Sequence, residues 1–408
     1  MLNNRDLRIA AARIGEARAS LRSARAARWP IDDLAVRSGT GRASVREASA
    51  AGIPRDWRDR SDADWQASWE ADLWGRVRAN IRAARADARA AEALAQDVAL
   101  LVVADTARAY LRIRALQVQQ AQARSGIALQ RDVLQITEVR ASVGEADSGE
   151  AAAARAELRA TEATLPQLDA QIETSIAALA LLTGGSTAEL RASLATPAGL
   201  PRVANGQPAL ATPLDVIGRR PDVRAAEANL AAADAQLAAA AADLIPRLSI
   251  VAQGASAERT LGGAFDGTAI SLGASLQLRL PLFNRAALYA GVDAADARRL
   301  GALAGYEQAV QKAIADTEAA LARLEQLSRA SIALDDAVAA GADAVRVANV
   351  RYGEGDQAFL NVLIAQRDQL RREQDRVEGQ AALATEYVNL FQNLGIVPAM
   401  AASPKPTP

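Results

Sequence analysis

Apolar positions along this chain follow two rhythms that alternate. In residues 221–245, Val223, Leu230, Leu237 and Leu244 recur every seven positions, with Ala226, Ala233 and Ala240 three places after the first three. A large residue at one seam position and alanine at the other predicts helices packed at close range along an a/d stripe. An alanine-rich helix in any bundle shows the same stripe. The front of the chain repeats it with Leu7, Ile14 and Leu21 offset by Ala10, Ala17 and Ala24. At an offset of 216, Asp222 falls on Asp6, Arg224 on Arg8 and Pro246 on Pro30. Each seam helix is expected to end at its proline, which lacks an N–H and restricts the residue before it.

Beyond each proline the period changes to two. In 268–283, Ile270, Leu272, Ala274, Leu276, Leu278, Leu280 and Leu282 alternate with Ser271, Gly273, Ser275, Gln277 and Arg279. In 64–74, Trp65, Ala67, Trp69, Ala71 and Leu73 alternate with Asp64, Gln66, Ser68, Glu70 and Asp72. Segments 247–256 and 31–38 are the expected partners, which predicts two hairpins. The tryptophans all fall between Trp29 and Trp74, mostly at or within these strands, as at a membrane interface. A sheet buried on one face in a water-soluble protein would alternate in the same way.

Two very long helical stretches follow, 75–141 and 284–350, each of which would span on the order of 100 Å if unbroken. They stop at turns that align with an offset of 211, Arg140 on Arg351 and Gly144 on Gly355. The chain therefore divides into a first repeat, 3–183, with hairpin about 30–74, long helix 75–141, tip turn 142–149 and a return helix. An irregular equatorial linker, 184–218, follows. The second repeat, 219–395, has its hairpin at about 246–283, long helix 284–350, tip turn 351–356 and return helix. Residues 396–408 read as a disordered tail.

Composition narrows the chemistry. The chain has 408 residues, formal net charge −1, no Cys and no His. That leaves no disulfide, no Cys/His zinc site, no His-dependent triad and no electrostatic case for nucleic acid. Without nucleotide-loop or nucleophile-elbow motifs, no enzymatic activity, cofactor or metal is expected. Lys312 and Lys405 are the only lysines among 47 basic residues. The string Arg5, Arg8, Arg13, Arg18, Arg22, Arg25 and Arg28 reads as the wet face of the first seam helix under that arginine bias.

If the strands face lipid, open edges would leave backbone groups unpaired in hydrocarbon, at several kcal/mol each by order of magnitude. Membrane barrels begin at about eight strands, so four per chain must be completed by other copies. The predicted fold is mainly α with a transmembrane β part. The lipid-facing strand residues are then Trp65, Trp69, Ile270, Leu272, Leu276 and Leu278, and the polar residues between them face a lumen suited to transport.

The stretches SWEADLWGR (68–76), RRPDVRAAEANLAAADAQLAAAAADLIPRLS (219–249), LRLPLFN (278–284) and RYGEGDQAFLNVLIAQRDQL (351–370) resemble the outer-membrane efflux protein family, the TolC-like channel-tunnels, over about residues 3–395. The R-R-P-D-V-R-x-A-E run is similar to its NodT-type lipoprotein branch. The resemblance implies a two-repeat channel-tunnel that closes as a homotrimer, a twelve-stranded barrel in the outer membrane of a Gram-negative bacterium above an α-helical barrel in the periplasm. It implies a passive conduit for drugs or other small solutes, served by an inner-membrane pump and a periplasmic adaptor. It also implies that the turns 140–150 and 351–361 form the periplasmic tip where the tunnel narrows; Arg140, Glu145, Asp147, Glu150, Arg351, Tyr352, Glu354, Asp356 and Asn361 are the candidate gate residues there, the alternative being a solvated turn with ordinary helix-end charges. Family members commonly carry L-D-V-L where this chain has Leu360-Asn361-Val362-Leu363, so asparagine stands in place of an acid. The signal peptide and acylated cysteine expected of that branch do not occur in this sequence. A soluble periplasmic coiled-coil adaptor and an inactive truncated product are the competing readings.

Overall fold

The structure is a computed structural model that describes residues 3–52, 54, 56–143, 147–201, 218–258, 263–266 and 270–396. The elements, in chain order, are α1 (Arg5–Ala26), β1 (Ile31–Gly41), α2 (Val45–Ala51), β2 (Arg58–Ala71), α3 (Arg76–Ser142), α4 (Ser148–Glu162), α5 (Thr164–Thr183), α6 (Thr187–Leu194), α7 (Pro221–Ala242), β3 (Arg247–Glu258), β4 (Ser271–Arg279), α8 (Arg285–Gly353) and α9 (Phe359–Asn393). A single 3₁₀ turn, Gly263–Phe265, lies between β3 and β4. Two compact units contain them. One comprises Arg13–Glu92 and Ala225–Glu307; the other comprises Met1–Ala12, Ala93–Arg224 and Gln308–Pro408.

The first of these units holds the sheet and the helix segments that enter and leave it. Its four strands run antiparallel in the order β1-β2-β3-β4. The helix segments are lined by alanine. In α3, Ala79, Ala83, Ala86, Ala90 and Ala93 are buried along one flank, and Val77, Ile81 and Ala88 along the opposite one. In α7, Ala225, Ala228, Ala232, Ala235, Ala239 and Ala242 form a second seam at three- and four-residue spacing. Burial is deeper there than at Leu230 and Leu237, which are only half-buried. A helix buried along two opposite flanks, one of them lined by small side chains, can serve as one stave of a single-layer wall, leaving two faces uncovered.

Four expectations about the elements are corrected. Leu73 lies beyond β2, because Asp72 accepts hydrogen bonds from the amides of Val77 and Arg78 (2.9 Å each) and turns the chain into α3. Ile270, Leu280 and Leu282 lie outside β4, where Pro281 has no N–H for the ladder. The first return helix is two helices, α4 and α5, divided at Ala163. Pro166, in the first turn of α5, cannot donate to the turn before it. The linker contains α6, capped by Ser186, whose hydroxyl accepts from the Ala188 amide (3.3 Å). Leu194 seats α6 on Ile113, Ile176 and Leu179. Residues 202–217 of that linker and 397–408 of the tail lie outside the described residues.

In the second unit the two repeats meet the same need with different residues. At the first, Asn4 is buried, donates to the Leu182 carbonyl (2.6 Å) and accepts from the Leu7 amide (2.9 Å). At the second, 216 positions on, Arg220 is buried and donates to the Asn393 carbonyl (3.4 Å), to Asp222 (2.7 Å) and to Asp316 (3.4 Å). Leu182 and Asn393 are themselves 211 apart. Gly184 and Gly395 follow with φ of 69° and 66°, and a Cβ on Gly184 would sit 2.5 Å from the Asn3 carbonyl oxygen. Asparagine and arginine thus tie the start of a seam helix to the last turn of a return helix, and Arg220 adds α8 through Asp316.

Burial works against the charged Asp222, yet the hydrogen bond and charge of Arg220 hold its pKa below the ordinary carboxylate value. A depressed folded pKa contributes stability that is present above the unfolded pKa and lost as pH falls through the folded one. Thermal melts should show stability declining below about pH 4, and Asp222→Asn should flatten that decline. Arg220→Met should cost about 2–3 kcal/mol, since Asp222 and Asp316 keep about a third of their side-chain surface in solvent (32% and 37%).

Candidate functional site

The sheet has two chemically opposed faces, and strand register sets them. Residues directly opposite in an antiparallel pair share a face. Leu34 pairs with Trp65, Trp65 with Gly254 and Gly254 with Leu272; Trp69 pairs with Ile250 and Ile250 with Leu276. Ala71, Leu248 and Leu278 continue the row. One face is therefore apolar across all four strands, and it is open: Leu272, Leu276 and Leu278 are 78%, 69% and 58% exposed. Trp65 and Trp69 are large rings still over a third exposed, and Ile270, just before β4, is also exposed.

The other face carries Asp64 between Ala35 and Ala255, Gln66 between Asp33 and Gln253, and Glu70 beside Ser249, which pairs with Gln277. Arg37 and Asp64 form an ion pair at 2.8 Å. At the helix end of this face Glu70 binds Arg76 (2.6 Å), and Asp243 binds Arg247 (2.5 Å). Three tryptophans mark the same end: Trp69 donates to the Arg28 carbonyl and Trp74 to the Pro246 carbonyl (2.8 Å each), while Trp29 is exposed. Among the described residues, β1 and β4 are the outer strands and have no strand partner on their outer edges.

The turns at the far ends of the long helices lie in the other unit. Arg140, in the last turn of α3, donates to the Tyr352 hydroxyl (2.5 Å) and lies over its ring at 5.0 Å. Tyr352, in the last turn of α8, meets Phe359 at a ring-centroid distance of 5.2 Å. Phe359 is buried with Ala154, Ala348, Val362 and Leu363. Gly355, at φ 78°, makes the reversal that ends α8. Asp147 caps α4 by accepting from the Gly149 amide (3.2 Å).

Of the residues singled out from sequence, the structure thus joins Arg140 to Tyr352. Arg351, Glu354, Asp356 and Asn361 are exposed, Glu150 is half-exposed, and none makes a side-chain hydrogen bond or ion pair among the described residues. Glu145 lies outside the described residues. Sequence reading passed over Phe359, although its seven-residue spacing from Tyr352 spans the turn and marks an aromatic pair. It also passed over the pair Arg155–Glu138 (2.6 Å), which ties α4 to α3.

A family model for the outer membrane efflux protein matches residues 1–185 and 213–396. The chain belongs to the outer membrane efflux protein family, channels of the Gram-negative outer membrane that extend into the periplasm. It is 30% identical over 400 residues to the pyoverdine export outer membrane protein OpmQ of Pseudomonas aeruginosa, covering 97% of this chain and 83% of that protein. OpmQ of Pseudomonas putida is 31% identical over 82% of this chain and 70% of that protein. Among solved structures, the outer-membrane channel OprN superposes with a TM-score of 0.88 at 30% identity, over 96% of this chain and 87% of that one. VceC of Vibrio cholerae superposes at 0.86 with 25% identity, over 96% and 93%.

Removing the buried ring should cost about 3–4 kcal/mol for Phe359→Ala. Tyr352→Phe, which keeps the ring contact and removes one hydrogen bond, should cost about 1 kcal/mol. Hydrogen exchange read at the ends of α3, α8 and α9 checks both, with the larger loss of protection expected for Phe359→Ala.

Proposed function

We propose that this chain is the outer-membrane conduit of a tripartite efflux system, passing small solutes from an inner-membrane pump and periplasmic adaptor to the exterior. The observation that carries the reading is the sheet: a continuous exposed apolar face, a polar opposite face and two unpaired edges on one four-stranded unit. A homotrimer supplies twelve strands, enough for a barrel wide enough to hold water, and it satisfies every edge. Asp64, Gln66, Glu70, Gln277 and Arg279 then line the lumen. Transport needs no chemistry from the protein; the radius and charge of the narrowest ring decide what passes. The R-R-P-D-V-R-x-A-E run further supports the NodT-type branch.

The tip supplies that ring. Arg140 on Tyr352 holds the end of α3 to the end of α8, and opening separates these helices, so the contact belongs to the closed state. Arg351, Glu354 and Asp356 are unpaired among the described residues and are free to meet neighbouring copies or an adaptor. Because Asn361 replaces an acid, acidic charge at the constriction falls to Glu150 of the first repeat.

In planar bilayers Arg140→Ala should raise single-channel conductance several-fold, and Asp356→Arg should raise it if that carboxylate holds a neighbour. Unchanged conductance for both removes these residues from the gate. Expression with an adaptor and pump in a Gram-negative strain lacking its own channel tests the function: restored export supports it, and correctly inserted protein with no export contradicts it.

A further inference from the structure

The wall of helices directly beneath the sheet carries arginine on one face, and that face continues the apolar side of the strands. In α3, Arg78, Arg82, Arg85 and Arg89 recur at four- and three-residue spacing and are exposed, between the two buried flanks. Arg76 lies 200° away around the helix and binds Glu70, which belongs to the polar face of β2. The Arg76 side of α3 is therefore the lumen side, and the Arg78 stripe is turned the other way. In α1, Arg18, Arg22 and Arg25 form a second stripe. Arg22 and Arg25 share a groove of about 400 Å³ with Arg85 and Arg89. A second groove of about 440 Å³ runs from Arg82, Arg85 and Arg89 to Asp234 of α7.

Only part of this charge is neutralised. Arg18 binds Glu92 (2.8 Å) and Arg78 binds Asp72 (3.1 Å). Arg22, Arg25, Arg82, Arg85 and Arg89 make no hydrogen bond or ion pair among the described residues. The second repeat is an internal control against compositional bias. Positions 216 on from the α1 stripe are Asp234, Ala238 and Ala241. Those 209 on from the α3 stripe, set by Leu73 on Leu282 and Arg76 on Arg285, are Ala287, Gly291, Ala294 and Arg298. One arginine of seven recurs, so arginine frequency alone does not place the band.

We propose that this band binds the phosphate head groups of anionic phospholipid in the periplasmic leaflet. The inference rests on the reading that the apolar face meets acyl chains. Trp29, Trp69 and Trp74 mark the lower edge of that face, and the arginines begin within two helical turns of the strand ends, at the depth of the head-group layer. Guanidinium forks pair bidentately with phosphate, and their stems lie along the alanine-lined wall while the heads reach up to the interface. The band thereby fixes the vertical position of the barrel in the bilayer and gathers anionic lipid around it.

The test uses the full chain inserted into vesicles of phosphatidylethanolamine with a minority of phosphatidylglycerol, then extracted in detergent, with retained lipid quantified by mass spectrometry. Phosphatidylglycerol should be enriched over its bulk fraction. The quadruple variant Arg22→Gln, Arg25→Gln, Arg82→Gln, Arg85→Gln should lose that enrichment by about fivefold or more. The same positions changed to lysine should keep most of it. Four exposed arginines elsewhere, Arg124→Gln, Arg329→Gln, Arg346→Gln and Arg371→Gln, should leave it unchanged. Equal enrichment in the quadruple glutamine variant, or complete displacement of the lipid by excess inorganic phosphate, overturns the proposal. Channel activity of each variant in the same vesicles separates the outcomes: a chain that inserts and conducts but retains both lipids equally refutes the band alone, and a chain that never inserts refutes the membrane reading and this proposal with it.

Discussion

The constraint behind the whole architecture is that a β-strand must pair its backbone wherever water is absent. Four strands with Leu272, Leu276 and Leu278 exposed on one face and Asp64, Gln66 and Glu70 on the other form a section of wall whose edges are open among the described residues. The unpaired edges of β1 and β4 call for copies of themselves. Helix packing follows from the same requirement. Each strand end continues into a helix, so a closed ring of strands imposes a closed ring of helices, and those helices must sit side by side in one layer. Alanine along one flank of α3 and along the seam of α7 is what permits that spacing.

Duplication explains how one chain supplies two such staves, and the differences between its halves show what each half must do. The joint between seam helix and return helix is kept in both, by Asn4 in the first repeat and by Arg220 in the second. A neutral amide suffices where one carbonyl needs a donor. Arginine is used where Asp222 and Asp316 also converge, binding three helices at one buried guanidinium. Six of the seven arginines beneath the sheet have no counterpart in the second half, so the halves differ in surface charge as well as in how they are tied.

The fold was legible because its signals are long. Period-two alternation over β4 and β2, and the breaks at Pro30 and Pro246, are local rules that tertiary contacts reinforce. Short or context-dependent features were harder to see. Helix α6 was hidden in a stretch rich in Gly, Pro, Thr and Ser, although Ser186 followed by Glu189 is a helix-start pattern. The division at Ala163 depended on Pro166 being three places inside a helix that otherwise read as continuous. At the turns that end the long helices, charge draws attention to Arg351, Glu354 and Asp356, which are exposed, while the contact that joins α3 to α8 and α9 passes through Arg140, Tyr352 and the buried Phe359. Which side of a helix an arginine occupies relative to a sheet face cannot be read from spacing alone; it required the Arg76–Glu70 pair to orient α3.

Everything rests on the tryptophan- and leucine-bearing face touching acyl chains. The direct measurement is fluorescence of a variant retaining Trp65 as its only tryptophan, reconstituted in bilayers whose lipids carry bromine along the acyl chain. Strong quenching by the brominated chains, with little effect of a water-soluble quencher, is the result this structure requires. Quenching only from the aqueous side would mean that the face packs against protein or water, and the barrel would have to be abandoned.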